Sequence, residues 1–165
     1  MYYSCGYSSP LGPMTAVSDG QDLIYLGFDA QRHFPFELVG QSLRKNLPVF
    51  DSTGQWLDIY FNGRNPDFVP RIRLVGTPFR LDVWRILMGI EYGRVTTYKS
   101  VAMQLLEEKG LSSVSFQAVG SAIGHNPVSI IIPCHRVINS RGGLSSYAGG
   151  LDRKKSLLKI EKAYF

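Results

Sequence analysis

The sequence predicts an α+β protein in two parts, a small sheet-containing N-terminal half and a mostly helical C-terminal half. Three observations lead there. Short apolar runs separated by Gly- and Pro-rich turns fill the first part. Apolar stripes at helical spacing, each preceded by a capping residue, fill the second. The charge is also divided unevenly: residues 1–76 carry a net −1 and residues 77–165 a net +6. At 165 residues, 44% of them hydrophobic and 19% charged, the chain can bury a core as one domain or as two small ones. The domains are expected at 1–76, an α+β domain with a linker at its end, and at 77–165.

In the first part, Tyr2 to Tyr7, Met14 to Val17 and Leu23 to Phe28 read as strands, with turns at Ser9-Pro10-Leu11-Gly12-Pro13 and Ser18-Asp19-Gly20. Residues 35–46 are ambiguous. Trp56, Leu57, Tyr60 and Phe61 recur at helical spacing after a cap at Ser52 or Thr53. The stretch from Gly63 to Pro78 reads as a linker containing a strand at Ile72 to Val75.

In the second part, Thr77 and Pro78 start a helix whose stripe is Phe79, Val83, Ile86, Leu87 and Ile90, ended at Glu91-Tyr92-Gly93. Thr97 caps the next, with Val101, Ala102, Leu105 and Leu106 on one face and Gly110 closing it. Ser113 or Ser115 caps a third, with Phe116, Val119 and Ile123 inward, stopped by Gly124-His125-Asn126-Pro127. Two short helices with a tight connection fit a helix-turn-helix. An ordinary helical hairpin is the commoner alternative, and the basic charge of this half favours the former. A basic half suits a polyanion such as nucleic acid, or is simply a solvated basic surface. A last helix runs from Asp152, as N-cap, to Lys162, with Leu157, Leu158 and Glu161 on one face.

Nothing approaches the roughly 18 apolar residues of a membrane span. The N-terminus lacks the basic and apolar regions of a signal peptide. Two cysteines make no disulfide scaffold and are expected to stay reduced in a cytoplasm. Three histidines and two cysteines form no close ligand set, so no metal is expected. Cys5 reads as an inert strand residue and His33 as a surface loop residue.

The chemistry concentrates at Pro133-Cys134-His135-Arg136, after the apolar run Ile130-Ile131-Ile132, itself read as a short buried strand. A thiol beside an imidazole is a candidate nucleophile and base. A structural cysteine beside a surface histidine is the alternative for the dipeptide alone. Glu161, if buried, needs a partner, and His135 is a candidate; a helix-end glutamate reaching solvent is the reading the residues alone favour. Arg136 reads as structural, pairing with a carboxylate or carbonyls.

The ordered set Asn126-Pro127, Ile132-Pro133-Cys134-His135-Arg136-Val137-Ile138, Tyr147-Ala148-Gly149-Gly150-Leu151, Lys154 and Leu157-Leu158 closely resembles the O6-alkylguanine-DNA alkyltransferases. So do Gly76-Thr77-Pro78-Phe79, Val83-Trp84, Tyr92-Gly93 and Thr97-Tyr98 upstream. The strong resemblance covers 76–161. Residues 1–75 resemble the family weakly, through Ser9 to Pro13 and Trp56 to Phe61.

The resemblance implies a ribonuclease-H-like N-terminal domain and a winged-helix-like C-terminal domain with a helix-turn-helix. It implies a DNA repair protein that acts once, taking an alkyl group from O6 of guanine (and from O4-alkylthymine) onto Cys134 with no cofactor. The partner is double-stranded DNA carrying O6-alkylguanine. No membrane partner is expected, and the protein would be a monomer, cytoplasmic or, in a eukaryote, nuclear. By resemblance His135 takes the thiol proton through water, Glu161 supports the imidazolium, and Asn126 holds the turn that carries the thiol. Tyr98, Tyr147, Val137, Ser146 and Lys154 would line the substrate pocket. Gln117, Ala118, Ser121, Thr97, Arg94, Lys99 and Arg141 would meet DNA. Some members of the family hold a structural zinc in the N-terminal domain; Cys5 matches one ligand and the other three have no match. Two positions depart from the family pattern: Gln117 stands where an arginine usually enters the duplex, and Ser145 stands in a loop where glycine is common. The competing readings are a non-catalytic relative that binds alkylated DNA, in which the cysteine is replaced, and a cysteine hydrolase, for which no oxyanion signature exists.

Overall fold

The computed structural model describes residues 1–163. It divides into two compact units, Met1–Leu74 with Pro127–Ser129, and Val75–Asn126 with Ile130 onward.

In the first unit, β1 (Tyr3–Ser9), β2 (Gly12–Ser18) and β3 (Leu23–Phe28) form an antiparallel meander. A tight turn closes β1 onto β2, with Ser9 opposite Gly12. Gly12 has φ 122°, which only glycine adopts without strain. Residues 35–46, ambiguous in sequence, form α1 (Phe36–Gln41) and β4 (Leu43–Arg44), and β4 runs parallel to β1 at the sheet's edge. Pro127–Ser129 belongs to this unit because Val128 bridges Leu26 of β3. The strand expected at Ile72 to Val75 is reduced to one bridge, Ile72 to Leu23.

The long helix α2 (Pro48–Phe61) packs on β1, and the hydroxyl of Tyr7 donates to Asp58 at 2.6 Å. Met14, Val17, Leu26, Phe28, Leu57 and Tyr60 fill the core. The expected cap at Ser52 or Thr53 is wrong: α2 begins a turn earlier, with Pro48 in its first position. Proline there loses no helical hydrogen bond and presets φ, and Asp51 complements the dipole. Thr53 lies inside the helix, its hydroxyl donating to the Val49 carbonyl.

In the second unit, α3 (Pro78–Met88), α4 (Tyr98–Lys109) and α5 (Phe116–Gly124) pack against one another. Thr77, Thr97 and Ser115 cap them, each side-chain oxygen accepting a backbone N–H three residues on. Gly110 closes α4 at φ 61°. The indole of Trp84 on α3 donates to the Ala122 carbonyl on α5 at 2.8 Å, fixing the pair. The helix-turn-helix is α4 and α5. Its second helix buries Val119, Ala122 and Ile123, but Phe116, expected inward with them, is exposed. It stands in the first turn, ahead of the core that the stripe covers.

The two-residue strands β5 (Thr96–Thr97) and β6 (Val137–Ile138) pair in parallel, and α6 (Leu151–Ile160) follows. Asp152 does not cap α6: Gly150, at φ 93°, occupies that position, and Asp152 lies in the first turn. Ile130 to Ile132 is not a strand. Ile130 and Ile131 form a turn, Ile130 at φ 72°, a strained conformation for a β-branched residue that its complete burial enforces. No described helix is long and apolar enough to cross a membrane.

Candidate active site

The turn at Ile130 delivers the chain into a single 3-10 turn, Cys134–Arg136, which is buried throughout. Such a turn spaces its side chains about 120° apart, so three consecutive residues reach three different surroundings. Cys134 faces Asn126 and Lys154, while His135 and Arg136 both reach Glu161.

Asn126 follows α5 directly. Its amide donates to the Ile132 carbonyl at 2.6 Å, tying the end of the helix to the turn that carries the thiol, and it also hydrogen-bonds Cys134. Burial raises the thiol pKa above its ordinary value, with Asn126 and the Lys154 ammonium opposing the rise. The sulfur therefore rests as a thiol and ionises as it reacts.

His135 has no exposed surface. Its Nε2 meets Glu161 Oε2 at 2.5 Å. Arg136 Nε donates to Glu161 Oε1 at 2.8 Å, and the Gly93 amide donates to the same oxygen at 3.0 Å. Burial would raise the Glu161 pKa, but His135 and Arg136 together hold it down to about 2. A carboxylate only accepts, so the imidazole proton sits on Nε2 and the lone pair on Nδ1. Burial lowers the His135 pKa despite Glu161. The ring is thus neutral at physiological pH, able to take a proton, with an anion behind it to stabilise the charge.

Lys154, on α6, is completely buried. Its ammonium donates to the Val137 carbonyl at 2.6 Å and the Ser146 carbonyl at 2.8 Å, joining β6 to the glycine-rich loop 139–150. Burial lowers its pKa, while Tyr98 and Cys134 favour its charge. The Tyr98 hydroxyl lies 3.3 Å from Ser146 Oγ, and Lys154 Nζ sits 5.8 Å from the Tyr98 ring centre. Cys134, Lys154, Tyr98, Ser146 and Val137 thus form one connected set.

Two family models match the chain: "6-O-methylguanine DNA methyltransferase, ribonuclease-like domain" over residues 1–74, and "6-O-methylguanine DNA methyltransferase, DNA binding domain" over residues 78–163. The chain belongs to the 6-O-methylguanine DNA methyltransferase family. A methylated-DNA–protein-cysteine methyltransferase of Haemophilus influenzae is 35% identical over 98% of this chain and 87% of its own. One from Methanosarcina barkeri is 36% identical over 98% of both. Among solved structures, the Mycobacterium tuberculosis O6-methylguanine methyltransferase has a TM-score of 0.84 at 36% identity, covering 98% of this chain and 93% of that one. The M. tuberculosis OGT in complex with DNA also scores 0.84, at 35% identity, covering 97% and 92%.

In this member of the methyltransferase family the remaining expected site residues lie on α5, around the start of α4 and on loop 139–150. Gln117, Ala118 and Ser121 lie together on the exposed face of α5. Thr97 caps α4, and Arg94, Lys99 and Arg141 are exposed. Tyr147 is half-buried on loop 139–150, and its carbonyl accepts from the Gly150 amide. Ser145 is exposed on the same loop. Among the described residues no cluster of three or more His, Cys, Asp or Glu could hold a metal.

Arg136, read from the sequence as pairing with a carboxylate or carbonyls, does both: it shares Glu161 with His135 and donates to the Ile90 carbonyl at 2.6 Å, with the Tyr92 ring 5.7 Å away. One participant escaped the sequence reading: Gly93 supplies a backbone donor from a turn at φ 77°, where a side chain would also crowd the Glu161 carbonyl. Its signal was Tyr92-Gly93 at a helix end, which also fits an ordinary C-cap.

Proposed function

We propose that the chain repairs alkylated DNA by moving an alkyl group, in one irreversible event, from O6 of guanine to Sγ of Cys134. The observation that carries this reading is the buried Cys134 thiol one residue from a neutral imidazole that Glu161 and Arg136 hold in place. The family relation supports it.

The step is a displacement at the alkyl carbon. The S–C bond forms as the C–O6 bond breaks. The thiol proton passes to His135 Nδ1, through water where direct reach is lacking, and Glu161 stabilises the imidazolium. The electron pair of the broken bond stays on guanine, and Tyr98 donates a hydrogen bond toward it. Lys154 offsets the developing thiolate and holds the loop carrying Ser146 and Tyr147 against the base, with Val137 behind. Asn126 fixes the thiol's turn. Nothing regenerates the thiol, so each molecule acts once and needs no cofactor. O4-alkylthymine, with an equivalent alkylated oxygen, is a second substrate. Ser145 narrows the loop's approach to the alkyl group and disfavours bulky ones.

Residues 77–165 bind DNA and carry the reaction. α5 enters the groove and the damaged nucleotide turns out of the stack, at a cost of a few kcal/mol met by DNA contacts. Arg94, Lys99, Arg141, Thr97 and Ser121 contact phosphates, while Ala118 lets the helix approach closely. Gln117 takes the extruded nucleotide's place as a neutral finger. A Gln117→Ala protein with unchanged affinity and repair rate would remove that role. The protein acts as a monomer, in the cytoplasm or, in a eukaryote, in the nucleus.

Mass spectrometry after incubation with O6-methylguanine duplex tests the reaction. The expected result is a permanent gain of one methylene on Cys134, absent in Cys134→Ser. Tight binding without an adduct would favour a non-catalytic DNA-binding relative, and repeated turnover would favour a hydrolase; either outcome overturns the proposal.

A further inference from the structure

Phe116 is the first residue of α5, and its side chain is 57% exposed. By helical spacing it continues the apolar stripe of Val119 and Ile123, which are buried. Helical side chains lean toward the N-terminus, so a residue in the first turn projects past the start of the helix. The ring therefore overshoots the core that the rest of the stripe covers. A single exposed apolar residue is ordinary. Here, however, it sits at the tip of an unusual segment. Residues 111–118 carry no charge and are exposed at every position except half-buried Val114, in a half of the chain whose net charge is +6.

Strong basic charge with one uncharged, apolar, protruding tip matches the two parts of a DNA duplex. Phosphates attract the basic rim, and the stacked bases accept a neutral ring. The neighbouring residue is Gln117, which brings no charge of its own into the stack. We propose that Phe116 is an apolar wedge that enters the base stack beside the damaged nucleotide, holding open the step from which that nucleotide is extruded. Wedging of this kind is a general way to kink a duplex and partly unstack it, and an aromatic face stacks on any base. Phe116 positions the substrate and takes no part in the chemistry. The inference rests on the alkyl-transfer reading above.

The experiment compares two donors under single-turnover conditions: O6-methylguanine in a duplex, and O6-methylguanine as a free base, which needs no extrusion. Labelling of Cys134 is followed for wild type, Phe116→Ala and Phe116→Trp. The ratio of duplex rate to free-base rate is expected to fall about tenfold or more in Phe116→Ala, and to recover in Phe116→Trp, which restores a stacking face. A 2-aminopurine placed beside the lesion is expected to brighten on binding wild type and to brighten less on binding Phe116→Ala. A purely structural role would slow both donors together and leave the ratio alone; that result, or an unchanged duplex rate, overturns the wedge. A wild-type chain labelled by neither donor overturns the alkyl-transfer reading itself, and the wedge with it.

Discussion

A carboxylate with almost no exposed surface would ordinarily take up a proton, because burial penalises its charge. Glu161 stays ionised because three donors converge on it: His135, Arg136 and the Gly93 amide. Glu161→Gln keeps the shape but loses the charge and places an NH2 against one of those donors. Breaking one partner out of a buried pair costs about 3–5 kcal/mol. The expected outcome is a loss of stability of that order in urea unfolding, with alkyl transfer slowed further than the change in folded fraction explains. The pH dependence follows in sign. Both Glu161 and His135 have folded pKa values below their unfolded ones. Each therefore contributes stability that is complete above the unfolded value and lost as pH falls toward the folded one. His135 begins to weaken the fold below about pH 6.5, its unfolded value. Glu161 adds its share as pH falls from its ordinary value, 4.5, toward about 2. A thermal melting temperature that stays flat from pH 7 down to pH 5 would show that His135 is not held neutral by burial.

At the scale of elements, Lys154 links α6 to β6 and the loop 139–150 by two hydrogen bonds from one ammonium. Lys154→Met fills similar volume but leaves the Val137 and Ser146 carbonyls without that donor. An unsatisfied buried group costs about 1–3 kcal/mol, and relief of the buried charge returns part of it. We expect a net destabilisation of about 1–3 kcal/mol, and faster amide hydrogen exchange across 139–150 than in α3 or α4. Equal exchange in both proteins would mean that the loop is held by other contacts. Links of this kind also explain what the sequence made legible. The caps at Thr77, Thr97 and Ser115 and the stop at Gly110 were readable because each is decided within four residues, by one side-chain oxygen or one positive φ. The starts of α2 and α6 were misread because Ser52 or Thr53, and Asp152, were good local caps, whereas Leu47, just ahead of Pro48, and Gly150 occupy the cap positions. The turn at Ile130 looked like a strand because three isoleucines suit one, and only tertiary burial holds φ at 72°. The burial of Glu161 was only half legible: it shares a helix face with Leu157 and Leu158 and His135 was a candidate partner, yet the residues alone favoured a glutamate reaching solvent, and the structure buries it. Two of its donors, Arg136 and Gly93, lie 25 and 68 residues away.

At the scale of the whole molecule, the charge division makes a quantitative demand. Residues 1–76 are nearly neutral and residues 77–165 carry +6, so the proposed phosphate contacts are expected in the second stretch. Neutralising phosphates releases condensed counterions, and the logarithm of affinity then falls with the logarithm of salt at a slope of about −0.9 per contact. With Arg94, Lys99 and Arg141 as the contacts, the slope for duplex DNA is about −3, and a fourfold rise in salt weakens binding roughly fortyfold. Replacing any one of the three by alanine should lower the slope by about one unit and weaken binding to all sequences alike. Arg32 and Arg44, also exposed but in the nearly neutral stretch, serve as controls whose replacement leaves the slope unchanged. The measurement is a fluorescence-anisotropy titration of Cys134→Ser protein, which cannot be alkylated at that sulfur, against one duplex at four salt concentrations. A slope near zero, or one that moves with Arg32 and not with Arg94, would mean that the basic charge of 77–165 is not what holds the DNA.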